Sequence, residues 1–289
     1  IIVILSFIFR TIFILNRINF KLINIHSLMV LPIMIFINKD KKKIITFRGS
    51  DFSFFKRSLI LKLIANKCDE FHCVSSIQET FLRDKFNKKV LNIHNLVDTN
   101  FFYNQMSHQR LSQKNLIVIA GLRRVKGVDR SLEIFKAFHN KDPEWIMNIC
   151  GDGIEKKFLQ SWVKKNRLDK NVEFHGSVNR DKLKNILDKS CISMIDSRDE
   201  GFPKSMLEAL SSGCFISHSG KGECSKILSG YGYSYDKFNA NKIAEDIIEI
   251  YSDKENFINL TSKSRNIADR YSIENYCKRI EESYKCLIT

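Results

Sequence analysis

Asp196-Ser197-Arg198-Asp199-Glu200-Gly201-Phe202-Pro203-Lys204-Ser205-Met206-Leu207-Glu208-Ala209-Leu210 reads as a polar loop that ends in a helix start. The apolar run before it, residues 191–195 (CISMI), has the composition of a strand covered on both faces. Pro203 suits the first helical position, where its missing N–H has no intrahelical partner to lose. The amides of Lys204 and Ser205 then point out of the helix start. Such an end attracts anions, phosphate above all. Glu200 stands before the turn, and Glu208 about one and a half turns into the helix. The stretch is therefore expected to hold a phosphate-bearing ligand between two carboxylates.

Units of the same kind surround it. Strands are expected at residues 116–120, 145–150, 172–175, 191–195, 215–218 and 231–235, with helices at 128–140, 155–166, 180–189, 203–212 and 224–229. Helical patterns alone follow, at 240–252, 256–270 and 272–287. This alternation predicts a parallel, doubly wound sheet with a helical tail. Upstream the pattern is shorter: strands at 21–27, 43–47, 71–75 and 90–93, helices at 28–38, 54–67 and 77–85. Residues 99–115 are polar and lose the alternation, so a domain boundary is placed there, giving domains 1–110 and 111–289. The expected fold class is α/β with two Rossmann-like domains. The first is expected to be incomplete, because no Gly-rich loop follows an opening strand.

Of the 12 glycines, all but Gly49 lie at or after Gly121. Gly121, Gly151, Gly176 and Gly201 each follow a predicted strand, and ligands in open α/β sheets bind outside those carboxyl ends. The loop chemistry is thus assigned to the second domain. Arg123, Arg124 and Lys126 lie in its first strand-to-helix turn, where three cations beside free helix amides can neutralise a diphosphate without a metal. A solvated basic turn is the other reading, and the residues alone leave both open. Gly151-Asp152-Gly153 reads as a plain turn. Glu200 and Glu208 have the chemistry of an acid/base pair, while Lys204 and Glu208 at i, i+4 also make an ordinary surface ion pair. The neighbouring Gly201-Phe202-Pro203 favours the functional reading. His26, His94 and His175 lie at strand ends and are expected to be merely hydrogen-bonded. No Walker, G-x-G-x-x-G or D-x-D motif is present.

The 289 residues are 44% hydrophobic and 27% charged, which suits a globular chain with a sizeable core. The net charge of +15 favours anionic partners: a phosphorylated small molecule, nucleic acid or an anionic membrane surface. A Lys-rich solvated surface would give the same charge. No long basic block interleaved with aromatics marks a nucleic-acid groove, and nucleic acid is not expected as a partner. The eight cysteines form no C-x-x-C pair and have no zinc-ligand spacing to His, so they are expected as reduced, largely buried thiols in a cytoplasmic protein. Residues 1–15 are apolar but broken by Arg10. They are expected to form a helix or strand of a domain that has lost its beginning, with a membrane anchor as the alternative.

Together these residues resemble glycosyltransferase family 4, the retaining GT-B enzymes of the "group 1" type. Residues 200–209 (EGFPKSMLEA) look like that family's E-x7-E signature, and residues 120–128 (AGLRRVKGV) like its basic loop. Gly151-Asp152-Gly153, residues 172–176 (VEFHG) and Ser211-Ser212-Gly213 fall at matching places. Residues 45–51 (ITFRGSD), Val74-Ser75 and residues 95–98 (NLVD) resemble landmarks of its acceptor domain. The resemblance covers roughly residues 20–285 and implies two Rossmann-like domains across a cleft, one for the nucleotide sugar and one for the acceptor. It implies that Glu208 holds ribose hydroxyls, Glu200 contacts the donor sugar, and Gly176, Ser177 and Val178 lie near the base. Gly201, Phe202, Pro203, Lys204 and Ser205 would bind phosphate or sugar hydroxyls. Lys126 with Arg123 or Arg124 would stabilise the diphosphate.

Four departures accompany the likeness. Gly121 and Leu122 precede the first arginine of the basic loop, Arg48 stands where the family has His, the loop at 220–225 matches loosely, and the opening strand with its Gly-rich loop is missing. The function implied is transfer of a sugar, with retention, from a UDP- or GDP-sugar to a surface polysaccharide or lipid-linked glycan. It would need no metal and would take place at the inner face of the plasma membrane. A nucleotide-sugar epimerase or hydrolase on the same fold and a truncated binding module are the alternatives.

Overall fold

The computed structural model describes residues 2–15, 17–49, 51–228 and 230–289. Ile1 of the apolar N-terminal run, Ser50 of the 45–51 landmark and Ser229 at the end of the helix expected at 224–229 lie outside the described residues. The chain divides into two compact units, Ile1–Asn95 with Glu274–Thr289, and Leu96–Ile273.

The first unit contains α1 (Ile2–Leu15), β1 (Leu22–Ile25), β2 (Lys42–Thr46), α2 (Asp51–Arg57), α3 (Leu59–Ala65), β3 (Glu70–Cys73), α4 (Ser76–Lys85) and β4 (Lys89–Asn92). Its four strands are parallel, in the order β1-β2-β3-β4. An aromatic cluster fills the core, with ring centroids of Phe47 and Phe55 4.6 Å apart and those of Phe71 and Phe86 4.9 Å apart. Each fully buried ring contributes roughly 1.5–3 kcal/mol. The apolar run Leu28–Ile35 is a 3-10 helix containing Pro32, whose missing N–H and ring disfavour a regular α-helix there. The helix expected at 54–67 is two helices, because Ser58 is extended and its Oγ caps α3 by accepting from Leu61 N at 3.2 Å.

The second unit runs α5 (His108–Ser112), β5 (Asn115–Ile119), α6 (Val128–Lys141), β6 (Ile146–Cys150), α7 (Lys156–Lys165), β7 (Val172–Gly176), α8 (Arg180–Leu187), β8 (Ile192–Ile195), α9 (Lys204–Ser211), β9 (Phe215–His218), α10 (Cys224–Ile227), β10 (Tyr233–Ser234), α11 (Ala240–Ser252), α12 (Lys254–Ser262) and α13 (Ser264–Asp269). The six strands are parallel in the order β7-β6-β5-β8-β9-β10. The chain enters at β5, winds outward to β7, and returns beside β5 at β8. That is the doubly wound order whose reversal creates a crevice between the first strand and the fourth. Trp145 anchors the core, buried between Phe138 at 5.1 Å and Tyr251 at 4.8 Å, ring to ring.

The boundary between the units falls at residues 95 and 96, and the last helix, α14 (Ile273–Ile288), belongs to the first unit from Glu274 onward. The expected boundary at 110 and 111, with that helix in the second domain, differs from this division. The polar residues of 99–115, where the boundary was expected, make specific bonds. Ser107 caps α5, and the buried Arg110 guanidinium donates to the carbonyls of Leu187, Ser190 and Ser212. Arg110 thus satisfies carbonyls that helix ends leave open. In α14, Tyr284 Oη accepts from Asn24 Nδ2 at 2.8 Å, and Ser283 joins a buried cluster with Glu70 and His72. The helix expected at 256–270 is broken at Lys263 into α12 and α13. Among the described residues no helix is long and apolar enough to cross a membrane.

Candidate functional site

The loops after β5 and β8 flank the reversal in strand order, and a cavity of about 470 Å³ lies at those carboxyl ends. Its walls include Gly121 and Lys126 after β5, Gly151 and Asp152 after β6, Ser177 and Val178 after β7, and Ser197 and Glu200 after β8. Phe202, Pro203, Lys204, Ser205 and Glu208 close it from the start of α9.

Pro203 is one position earlier than expected. It is the N-cap, extended at φ −75° and ψ 108°, and α9 starts at Lys204. Its carbonyl accepts from Met206 N at 3.1 Å. Proline offers no side-chain cap, so the amides of Lys204 and Ser205 keep no intrahelical acceptor and face a cavity their own residues line.

Also in the cavity wall, Lys126 Nζ lies 2.7 Å from Glu200 Oε2, and Ser197 Oγ donates to the same oxygen at 3.2 Å. Lys126 is held there by its loop. The 3-10 turn Arg124–Lys126 is fastened to the β8 loop by Arg198, which donates to Asp129 Oδ1 and Oδ2 at 2.7 and 2.6 Å and to the Arg124 carbonyl at 2.8 Å. Gly127 makes the approach possible. At φ +66° its Cα faces the Asp196 carbonyl so closely that a Cβ would sit 2.0 Å from the oxygen. Gly222 does the same on the far flank, where a Cβ would lie 2.1 Å from the Glu200 carbonyl, and Glu223 N donates to Gly201 O at 3.1 Å. The loosely matching loop at 220–225 therefore braces the acidic loop.

Asp196, directly behind the site, is buried and accepts from Ser131 Oγ at 2.5 Å and Tyr235 Oη at 2.8 Å. Burial outweighs those two hydrogen bonds and raises its pKa to about 6. Burial also raises the pKa of Glu208, against the pull of Lys204, whose Nζ is 3.7 Å away. His218 is driven down to about 4 by burial, and its Nδ1 accepts from Gly220 N at 3.1 Å, so the ring is a neutral brace near pH 7. Cys150 also lines the cavity, with its thiol pushed up to about 12 by burial, so it is not a ready nucleophile. Of the eight cysteines six are buried and two exposed. His175 and His94 are hydrogen-bonded, to Asn148 Oδ1 at 2.8 Å and to the Val74 carbonyl at 3.1 Å. Among the described residues no group of three or more His, Cys, Asp or Glu is placed to hold a metal ion.

The structure thus gathers Glu200, Lys126, Ser177, Val178, Phe202, Pro203, Lys204, Ser205 and Glu208 around one cavity. Arg123, Arg124, Gly176 and Gly201 do not line it; both arginines are exposed on the turn, so of three basic-loop cations one reaches the wall. Arg48 belongs to the first unit, where it donates to His26 Nδ1 at 3.3 Å and to Tyr276 Oη at 2.5 Å. Gly151 and Asp152, read from sequence as a plain turn, are part of the wall, and their strand-end position was the available signal. Arg198 and Asp129 carried no local signal, being 69 residues apart.

The family described as Glycosyl transferases group 1 matches residues 103–270, more than half of the chain. The chain is 24% identical over 229 residues to an uncharacterized glycosyltransferase of Haemophilus influenzae, covering 78% of this chain and 63% of that protein. It is 25% identical over 248 residues to an uncharacterized glycosyltransferase of Methanocaldococcus jannaschii, covering 84% of this chain and 68% of that protein. The chain therefore spans about two thirds of the length of these relatives. HepE of Anabaena, solved in complex with UDP-glucose, superposes with a TM-score of 0.80 at 16% identity, over 96% of this chain and 82% of that one. That likeness speaks to the fold, which is the GT-B fold. On the family match and the site built on this sheet, the chain belongs to the group 1 glycosyltransferases.

Proposed function

We propose that this chain acts as a retaining glycosyltransferase of family 4, moving a sugar from a UDP- or GDP-sugar to a surface polysaccharide or lipid-linked glycan. The observation that carries the proposal is the cavity at the strand-order reversal, whose wall holds both the Lys126–Glu200 pair and the residues of the uncapped α9 start. In this reading the diphosphate lies against the amides of Lys204 and Ser205 and takes Lys126 as counter-charge, in place of a metal ion. Glu208 accepts from the ribose hydroxyls, which would favour its charged form and reverse the effect of burial. Glu200 accepts from a hydroxyl of the donor sugar, and the base lies toward Ser177 and Val178. Negative charge grows on the departing phosphate as the glycosidic bond breaks, and donors already fixed in place stabilise it most. The acceptor attacks from the same face that the phosphate leaves. The net charge of +15 supports a peripheral position at an anionic cytoplasmic leaflet.

Calorimetry with UDP and GDP, with and without a chelator, tests the site. Lys126→Ala and Glu208→Ala should each weaken binding by about 10- to 100-fold, the size of a lost charge-assisted hydrogen bond. Unchanged affinity in both variants sinks the assignment, and binding abolished by the chelator sinks the metal-free part. Mass spectrometry of the donor with and without a glycan acceptor tests the reaction. Turnover without acceptor would instead identify a hydrolase or epimerase.

A further inference from the structure

Large apolar side chains face solvent in the first unit in a way that its own core does not explain. On α3, Ile64 and Ala65 are buried and Leu61 packs on the core, yet Leu59, Ile60 and Leu63 are 73%, 71% and 70% exposed. At 100° per residue those three share an arc of about 100°, with Lys62 on its flank. A surface helix ordinarily turns polar residues outward on that side. Phe54 on α2 is 65% exposed, and the 3-10 segment against which α3 packs exposes Met29, Ile35 and Phe36. Single exposed apolar residues are unremarkable; several on adjoining elements mark a contact surface.

The charge around them is one-sided. Residues 1–67 hold twelve Lys and Arg against two Asp, so this stretch supplies ten of the fifteen net positive charges. Lys56 and Arg57 close α2 and Lys62 sits within α3, where its Nζ donates to the Lys56 carbonyl at 3.1 Å. Apolar side chains set among cations match an anionic lipid leaflet, which offers hydrocarbon beneath a layer of negative headgroups. A second copy of this chain fits less well, because a two-fold contact through this face would bring together two patches that each carry Lys56, Arg57 and Lys62. With seven residues α3 is far too short to span a bilayer, so it would lie on the surface.

We propose that the first unit docks on an anionic bilayer through the face bearing Leu59, Ile60 and Leu63, with Lys56, Arg57 and Lys62 meeting the headgroups. This deepens the peripheral placement proposed above by naming the surface, and it stands on first-unit residues alone. Vesicle flotation of the full chain tests it, comparing phosphatidylcholine alone with phosphatidylcholine mixed with phosphatidylglycerol. The chain should float only with the mixed vesicles and should be released by salt. Lys56→Glu with Lys62→Glu should reduce partitioning by roughly tenfold or more. Leu59→Ser with Leu63→Ser should weaken it by a similar factor and leave the residual binding more salt-sensitive. UDP binding, which depends on the second unit, is measured on the same samples. Unchanged circular dichroism and urea melts show that the variants are folded, and retained UDP affinity separates this test from that of the nucleotide site. Failure of the wild-type chain to float, equal flotation with both vesicle types, or undiminished flotation of both variants would overturn the proposal. So would self-association, seen by light scattering and lost in the serine variant, without vesicle binding.

Discussion

Glu70 in the first unit and Glu208 in the second are both largely removed from solvent, yet their surroundings differ. Glu70 Oε1 lies 2.9 Å from His72 Nε2 and accepts from Ser283 Oγ at 2.7 Å, while Lys89 Nζ is 3.0 Å from Oε2. Burial opposes ionisation there, but the His72, Ser283 and Lys89 hydrogen bonds together outweigh it and lower the pKa. Glu208 has an ion pair with Lys204 at 3.7 Å, on a lysine side chain that is 61% exposed, and burial wins, raising the pKa. The first carboxylate draws its partners from its own unit and ties α14 to β3, with His72 and Ser283 on Oε1 and the Lys89 ion pair on Oε2. The second lines a cavity with acceptor capacity to spare. A carboxylate the fold leaves under-partnered at the mouth of a sheet is one a ligand can complete.

The largest expected effect comes from opening the Glu70 cluster. Glu70→Ala leaves His72, Ser283 and Lys89 without their shared acceptor and should cost about 3–5 kcal/mol in urea unfolding. UDP affinity should stay unchanged; a loss below about 1 kcal/mol would erase the contrast with Glu208. The wild-type contribution of Glu70 should be present above the ordinary Glu pKa of 4.5 and be lost as pH falls through its lowered folded value.

Asp196 tests the opposite sign. Its pKa is raised from 3.8 to about 6, so its protonated form contributes stability that is complete below 3.8 and disappears as pH rises through about 6. Asp196→Asn should therefore gain on the wild type across that window, by up to roughly 3 kcal/mol at pH 7. Thermal melts at pH 4 and pH 7 measure it, and parallel shifts of the two proteins would refute it.

Glu208→Gln should separate binding from folding. UDP affinity should fall about tenfold or more, while stability at pH 7 stays within about 1 kcal/mol, since removal of the charge relieves desolvation. A stability loss as large as that of Glu70→Ala would make the two carboxylates equivalent after all.

The smallest effect concerns the fastening of the basic loop. Arg198→Lys keeps the charge but loses the paired contacts to Asp129, and should cost about 1 kcal/mol of stability. UDP affinity should fall several-fold through Lys126, with uridine affinity unaffected. Equal losses for UDP and uridine would show a general loosening instead.

The second sheet was legible in the sequence because buried parallel strands are short apolar runs, and each ends at a turn residue. The uncapped start of α9 at the cavity was legible because Pro203 acts locally. The basic loop was half legible. Arg123, Arg124 and Lys126 are equivalent cations in a sequence, and only the 3-10 turn decides that Lys126 faces the cavity while both arginines face solvent. The polar segment 99–115 was expected to hold the domain boundary because composition does not distinguish a solvated arginine from Arg110, buried on three carbonyls.

By itself the sequence determined the kinds of element, their parallel winding and the chemistry of the loop at 196–210, since these follow from periodicity and from interactions within a few residues. Tertiary structure alone decided the rest. It decided that Gly127 and Gly222 bring distant backbone against the acidic loop, that Arg198 reaches Asp129, and that Asp152 joins the wall. It also decided that Glu70 has His72, Ser283 and Lys89 as partners, whereas Glu208 is paired with the exposed Lys204. The physical reason is that burial and partnership, which set a carboxylate's charge and its readiness for a ligand, arise between residues remote in the chain.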